Sequence, residues 1–128
     1  MQLTSEQLER HGASIRRFKN AQIHTIDLSQ ANCVVDNSFV QQLQSHTTLV
    51  ELDLSDSQIT NQAIQHLTLF PKLTSVNLEN TAINDNCVDA LRVMQQLKLL
   101  VLSNTEIAPT TIEEIRPRMI NTRIIYLR

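Results

Sequence analysis

The sequence is poor in the residues that most folds use for tight turns, aromatic packing and covalent cross-links. Its 128 residues include one glycine, no tryptophan and two cysteines, and aromatic residues make up only 3% of the chain. The single glycine, Gly12, argues against glycine-rich phosphate loops and dinucleotide fingerprints in their usual form, because both need backbone freedom at several positions. The scarcity of aromatic residues likewise argues against base-stacking sites, and we expect no nucleic-acid partner.

Cysteine and histidine form no familiar catalytic or metal-binding pattern. The chain has no Cys-x-x-Cys motif, and its four histidines are widely spread: His11, His24, His46 and His66. Cys33 and Cys87 are predicted to be small buried hydrophobes, with a reactive or regulatory thiol as the alternative. We therefore expect no enzymatic activity, no catalytic residues, no cofactor and no metal.

The charge and hydropathy patterns indicate a folded domain outside the membrane. The net charge is −2, and no Lys or Arg occurs from Ala21 to Pro71. No apolar run approaches membrane-spanning length, and the start of the chain does not resemble a secretory signal. We expect a cytoplasmic protein without a membrane partner, with leaderless export as the alternative.

Aliphatic residues recur with a period of 24 residues. Three copies are in strict register: Leu49-x-x-Leu52-x-Leu54, Leu73-x-x-Val76-x-Leu78 and Leu97-x-x-Leu100-x-Leu102. Further aliphatic residues follow each copy in register: Ile59, Ile83 and Ile107, then Leu67, Leu91 and Ile115. Strand-like alternation followed by helical spacing predicts a strand, a turn and a helix in each unit. We expect helices to start at Asn61 and Asp85 as N-caps and at Pro109 in the first turn.

Two weaker copies flank these three. Ile23-x-x-Ile26-x-Leu28 precedes them, with Cys33 at the position of Ile59 and two extra residues near Val34-Val35. Thr122-x-x-Ile125-x-Leu127 follows them after one extra residue and is predicted to be a strand only. Residues 23–128 are thus predicted to form one repeat domain, with four repeats and a final strand.

The N-terminal residues 1–22 are predicted to be a helical capping segment. Thr4 is a good N-cap, and Gly12 is a good residue to end the helix. Leu8, Ile15 and Phe18 would then cover the exposed end of the first repeat, as terminal caps of repeat proteins do. A docking helix is the alternative.

The motif Leu-x-x-Leu-x-Leu-x-x-Thr-x-Ile-x-Asp, matched from Leu73 to Asp85, resembles the leucine-rich-repeat family. The resemblance extends from Gln22 to Arg128 and is to the ribonuclease-inhibitor and cysteine-containing varieties; Ser57 and Ala31 depart from the usual ninth residue. It implies an α/β solenoid, a horseshoe segment with parallel strands on the concave face and helices on the convex face. It also implies an adaptor module that binds another protein through the concave face.

The predicted register defines a candidate binding surface. Outward-facing strand positions should be acidic and polar over the first three strands and apolar over the last two, and an exposed apolar cluster favours a partner-binding anchor. The alternatives are that these residues only raise strand propensity, or that the chain self-assembles into a homodimer through its open C-terminal edge. The candidate partner-binding residues are Asp53, Asn77, Glu79, Leu99, Val101, Ile124, Tyr126 and Arg128.

Overall fold

The computed structural model describes residues 2–127. These residues form six strands, five α-helices and two short 3-10 helices, and the strands make one sheet in chain order. The strands are β1 (Ser14–Arg17), β2 (Ile23–Asp27), β3 (Glu51–Asp53), β4 (Ser75–Asn77), β5 (Leu99–Val101) and β6 (Arg123–Ile125). The α-helices are α1 (Ser5–Arg10), α2 (Asn37–Gln41), α3 (Asn61–Leu67), α4 (Val88–Arg92) and α5 (Pro109–Ile115). The 3-10 helices are Asp85–Cys87 and Arg116–Arg118. The predicted α/β class is confirmed.

The five strands from β2 to β6 are parallel and pair neighbour to neighbour. Leu52, Val76 and Leu100 occupy the same place in three successive strands and are buried on the side of the sheet that faces the helices. Parallel neighbours require a crossover, and helices provide it after each of β2 to β5. The predicted parallel strands and the four following helices are therefore confirmed.

The chain forms its recurrent tight turns without glycine. Asp56, Asn80 and Asn104 have left-handed backbones with φ of 60°, 56° and 56°, and each lies 24 residues after the last. Short Asx side chains tolerate this conformation better than other non-glycine residues. Asn80 also donates through Nδ2 to Oδ1 of Asp56 at 2.7 Å, so neighbouring turns are joined.

A row of buried or half-buried hydroxyl groups closes the same turns. The Thr81 hydroxyl donates to the Leu78 carbonyl at 2.7 Å. Ser57 makes the equivalent bond to the Leu54 carbonyl at 2.6 Å, so its departure from the threonine motif preserves the contact. Either hydroxyl residue satisfies a strand carbonyl that the turn would otherwise leave without a donor.

A second row of side-chain hydrogen bonds joins the starts of successive helices. The side-chain oxygens Oδ1 of Asn37, Asn61 and Asp85 accept from the backbone N–H of Thr60, Asn84 and Ala108, each at 2.9 Å. Asn61 and Asp85 are the first residues of their helices and not the N-caps, as had been predicted. The N-caps are Thr60 and Asn84, one residue earlier in each case. Pro109 is the first residue of α5, as predicted, and its side chain has no group to extend the row.

The N-terminal segment is only partly helical. Thr4 is the N-cap of α1 and forms a capping box with Gln7, and Leu8 is fully buried. The following β1 pairs antiparallel with β2, where Ile15 lies opposite Ile26. The predicted helix that starts at Thr4 and ends before Gly12 is therefore confirmed, whereas the strand β1, which covers the edge of β2, was not predicted.

Phe18 lies outside the core that it was expected to cover. It is 39% exposed and makes an edge-to-face contact with the His24 ring, with ring centroids 4.8 Å apart. The chain turns at Ala21 with φ of 71° and returns as β2, so Phe18 belongs to the turn that joins the two antiparallel strands.

The extra residues of the first repeat lie before Val35, not after it. Val35 is buried and its carbonyl accepts from the backbone N–H of Gln58 at 2.8 Å, just as the Ile83 carbonyl accepts from Glu106. Val35 thus takes the position that was predicted for Cys33, and Cys33 is only half-buried.

The enlarged loop packs against the only glycine. Gly12 has φ of +87°, and a Cβ atom there would lie 3.0 Å from the Gln30 carbonyl oxygen and 3.1 Å from the Asn32 nitrogen. The Asn32 N–H donates to the His11 carbonyl at 2.8 Å. Gly12 therefore satisfies both a left-handed turn and a close approach of two backbones.

Candidate functional site

One face of the sheet is turned away from the helices, and we call it the open sheet face. Its outward side chains alternate with buried ones along each strand, as the period of a strand requires. It comprises Ser14 and Arg16 of β1, Thr25 and Asp27 of β2, Glu51 and Asp53 of β3, Ser75 and Asn77 of β4, Leu99 and Val101 of β5, and Arg123 and Ile125 of β6. A depression of about 450 Å³ runs over this face from Ser14 to Val101.

The part of this face formed by β2 and β3 is acidic. Asp27, Glu51 and Asp53 are half-buried there. The Arg16 guanidinium from β1 lies 3.1 Å from Oε2 of Glu51 and forms an ion pair with it. Within residues 2–127, neither Asp27 nor Asp53 has an ion-pair partner. The acidic half therefore retains uncompensated negative charge.

The aspartates are fixed by the turns that follow their strands. Oδ1 of Asp53 accepts from the backbone N–H of Ser55 at 2.9 Å and from its hydroxyl at 2.7 Å. Asp27 makes the same two bonds to Ser29. In β4, Asn77 accepts from the Glu79 N–H at 2.9 Å. An amide thus fills the same structural role as a carboxylate in this row, without its charge.

Apart from the exposed Arg123, the part of the face formed by β5 and β6 is apolar, but two of the residues predicted for it lie elsewhere. Leu99 and Val101 are on the open sheet face as predicted. Ile124 pairs with Leu100 and is buried, so its predicted exposure is wrong. Ile125 pairs with Val101 and takes its place on the face, while Leu127, which was predicted to be buried, is 69% exposed.

Tyr126 also differs from the prediction. It packs against the hydrophobic core, and its hydroxyl donates to the Ile107 carbonyl at 2.6 Å. The last strand keeps the 24-residue period of its neighbours, so the extra residue assumed before it does not shift the pairing. A one-residue shift moves every side chain to the other face, which explains the reversal of Ile124 and Tyr126.

The remaining predicted site residues are polar. Asp53 and Asn77 lie on the open sheet face, and Glu79 is half-buried just beyond the end of β4. Arg128 lies outside the described residues. Asp53 and Asn77 thus lie on the predicted face, whereas Glu79 lies outside the strand that was predicted to present it.

The edge strand β6 is protected by a residue that the sequence did not point to. Nη1 of Arg116, which follows α5, donates to the Ile124 carbonyl at 2.9 Å. The Leu127 N–H donates to the Ser103 hydroxyl oxygen at 2.9 Å. Because Arg116 occupies a carbonyl of the edge strand, a new strand could pair there only by displacing it.

The two thiols lie in different surroundings. Cys87 is buried in the core, and burial raises its pKa from 9.0 to about 12. Cys33 is half-buried, and its pKa is raised mainly by burial and to a lesser extent by the negative charge of the nearby Asp36.

Over residues 2–127, no group of three or more His, Cys, Asp or Glu side chains is arranged to hold a metal ion. In the same part of the chain, no helix has the length and apolar character needed to cross a membrane.

No protein-family model matches the chain, and no curated protein sequence is significantly similar to it.

Proposed function

We propose that the chain is a leucine-rich-repeat solenoid that binds another protein through the open sheet face, which is the concave face of that solenoid. The observation that carries the proposal is an apolar patch of half-buried side chains on two neighbouring strands, Leu99 and Val101 of β5 and Ile125 of β6, with the exposed Leu127 just beyond the end of β6. Solvent-facing strand positions are normally polar, and contiguous exposed apolar side chains mark interaction sites.

The architecture supports the solenoid part of this proposal. Strands in chain order with a constant 24-residue register, each followed by a helix, form an arrangement in which every unit contacts mainly its neighbours. The rows of hydrogen bonds at the turns and helix starts repeat with the same period. We propose no catalytic role.

A binding comparison between two matched variants tests the proposed surface. Val101→Asp adds a charge to the apolar patch, and Val93→Asp makes the same change at an exposed site after α4. We expect a partner captured from extract of the source cells by the wild type to be lost with Val101→Asp and kept with Val93→Asp. Circular dichroism should show both variants folded. A partner retained equally by both variants would refute the assignment of the surface.

Self-assembly is the second candidate function, and the exposed side chain of Leu127, just beyond β6, favours it, because a second copy of the chain could cover this side chain together with the apolar patch. Light scattering over a concentration series separates the two functions. A monomer at every concentration would exclude self-assembly and leave the binding of another protein as the function.

A further inference from the structure

The side chains of the open sheet face change in chemical character from one side of the sheet to the other. One row of outward side chains crosses five adjacent strands in register: Asp27, Asp53, Asn77, Val101 and Ile125. Along this row the side chains change from carboxylate to amide to aliphatic. Parallel strands are about 4.8 Å apart, so the two ends of the row are separated by about 19 Å.

The neighbouring row runs from Thr25 and Glu51 through Ser75 and Leu99 to the exposed Arg123 on β6. Glu51 is paired with Arg16, so the charge that remains at the β2–β3 end is that of Asp27 and Asp53. The face is therefore negative at its β2–β3 end and carries an exposed cation beside its apolar end. The depression of about 450 Å³ runs from the acidic strands onto β5 and joins the two halves.

We propose that the partner offers a segment that runs across the strands, with Lys or Arg side chains at one end and aliphatic side chains at the other. This inference rests on the proposed function and specifies its partner. The basic end lies over Asp27 and Asp53, where complementary charge selects and orients a partner. The aliphatic end covers Val101 and Ile125, where removal of apolar area from water supplies affinity.

The hydrogen bonds of the acidic half fit this assignment. Each aspartate uses Oδ1 for its own serine turn, and among residues 2–127 no side chain donates to Oδ2 of either one. The second carboxylate oxygen of each residue thus remains for a cation from outside. The distance of about 19 Å corresponds to about 13 residues of α-helix or about six residues of extended chain.

The equivalent position in β4, Asn77, shows which substitution can test the role of the two aspartate charges without disturbing the turns. Because Asn77 accepts from the following N–H just as the aspartates do, the double variant Asp27→Asn/Asp53→Asn removes two charges and retains the Oδ1 acceptors. The matched control is Glu113→Gln/Glu114→Gln, which removes the same charge from two exposed residues of α5. Circular dichroism and urea unfolding should show that both double variants are folded.

The probe is a displayed library of random 16-residue peptides, selected on the wild-type chain and then tested on the variants. We expect peptides that lose binding with Val101→Asp to carry basic residues at one end and aliphatic residues at the other. We expect Asp27→Asn/Asp53→Asn to weaken them on the order of tenfold, more at low salt than at high salt, and Glu113→Gln/Glu114→Gln to leave them unchanged.

The outcomes separate this inference from the proposed function. Peptides that need Val101 but ignore the loss of both aspartate charges would overturn the inference and leave the binding face intact. Peptides that need Val101 but carry acidic residues toward β2 and β3 would do the same. A selection with no peptide sensitive to Val101→Asp would overturn the binding face itself, and the inference with it.

Discussion

The hydrogen bonds between helix starts should contribute measurably to stability, and Asn61 allows this to be tested. Its Oδ1 accepts from the Asn84 N–H at 2.9 Å, and its Nδ2 donates to the Asn84 side-chain oxygen at 2.6 Å. Each such bond contributes about 0.5 to 1.5 kcal/mol, so Asn61→Ala should remove about 1 to 3 kcal/mol. The better helix propensity of alanine offsets up to about 0.7 kcal/mol of this loss.

With the full offset, the expected net loss is therefore about 0.3 to 2.3 kcal/mol. For a chain of this length it corresponds to a fall in Tm of roughly 1 to 9 °C. Urea unfolding followed by circular dichroism gives the free energy, and calorimetry gives Tm. Gln65→Ala is the control on the same helix, because Gln65 is exposed and its side chain makes no hydrogen bond within the described part of the chain.

A double-mutant cycle separates the two bonds. Asn84→Ala removes the acceptor of the Asn61 amide but keeps the backbone N–H that donates to Asn61. We expect a coupling energy of about 0.5 to 1.5 kcal/mol between the two side chains. If Asn61→Ala is as stable as Gln65→Ala, these bonds do not stabilise the stacking of repeats and the reasoning is wrong.

Three further changes test the core, the glycine and the thiols. Leu78 is fully buried between neighbouring strands, so Leu78→Ala should cost about 2 to 5 kcal/mol in urea unfolding; near-wild-type stability would disprove its place in the core. Gly12→Ala should lower the unfolding free energy by more than about 1 kcal/mol, because a left-handed backbone and contacts of 3.0 to 3.2 Å both oppose a Cβ there; an unchanged Tm would contradict this geometry. At pH 8 a maleimide reagent should label Cys33 faster than Cys87, whose pKa of about 12 and burial keep it a protected thiol; equal rates would refute the assignment of Cys87 to the core.

The repeat pattern predicted the middle of the molecule and failed at its ends. β3 and β4 follow from the strict alternation around Leu52 and Val76, where only one register buries the aliphatic residues. Residues 99–102 are all aliphatic, so the register of β5 follows from the 24-residue period instead. The last strand lacks that alternation because residues 124–127 are all apolar. Either register would turn two large side chains toward the core, and the structure has the one in which the Tyr126 hydroxyl donates to the Ile107 carbonyl.

The sequence of the N-terminal strand β1 gives even less indication that it forms a strand. Ile15 is the only aliphatic residue in β1, and two arginines follow it. That segment is a strand because the edge of β2 lies beside it, and this is tertiary information that propensity cannot supply.

The row of hydrogen bonds between helix starts was not predicted, for a different reason. Asn61 and Asp85 were interpreted as caps of their own helices, although their 24-residue spacing also permits a contact with the next repeat.

The same row limits how the chain can change in length. Each bond joins a side chain to an N–H group 23 residues further along. A tandem duplication of residues 73–96 would bring both a donor and an acceptor and would extend the row without a break, whereas a block of another length would leave an acceptor without its donor. The first repeat accommodates its extra residues because they lie before Val35, upstream of the acceptor Asn37. We therefore expect this protein to change in length by whole 24-residue units, or by insertions in the first repeat before Asn37.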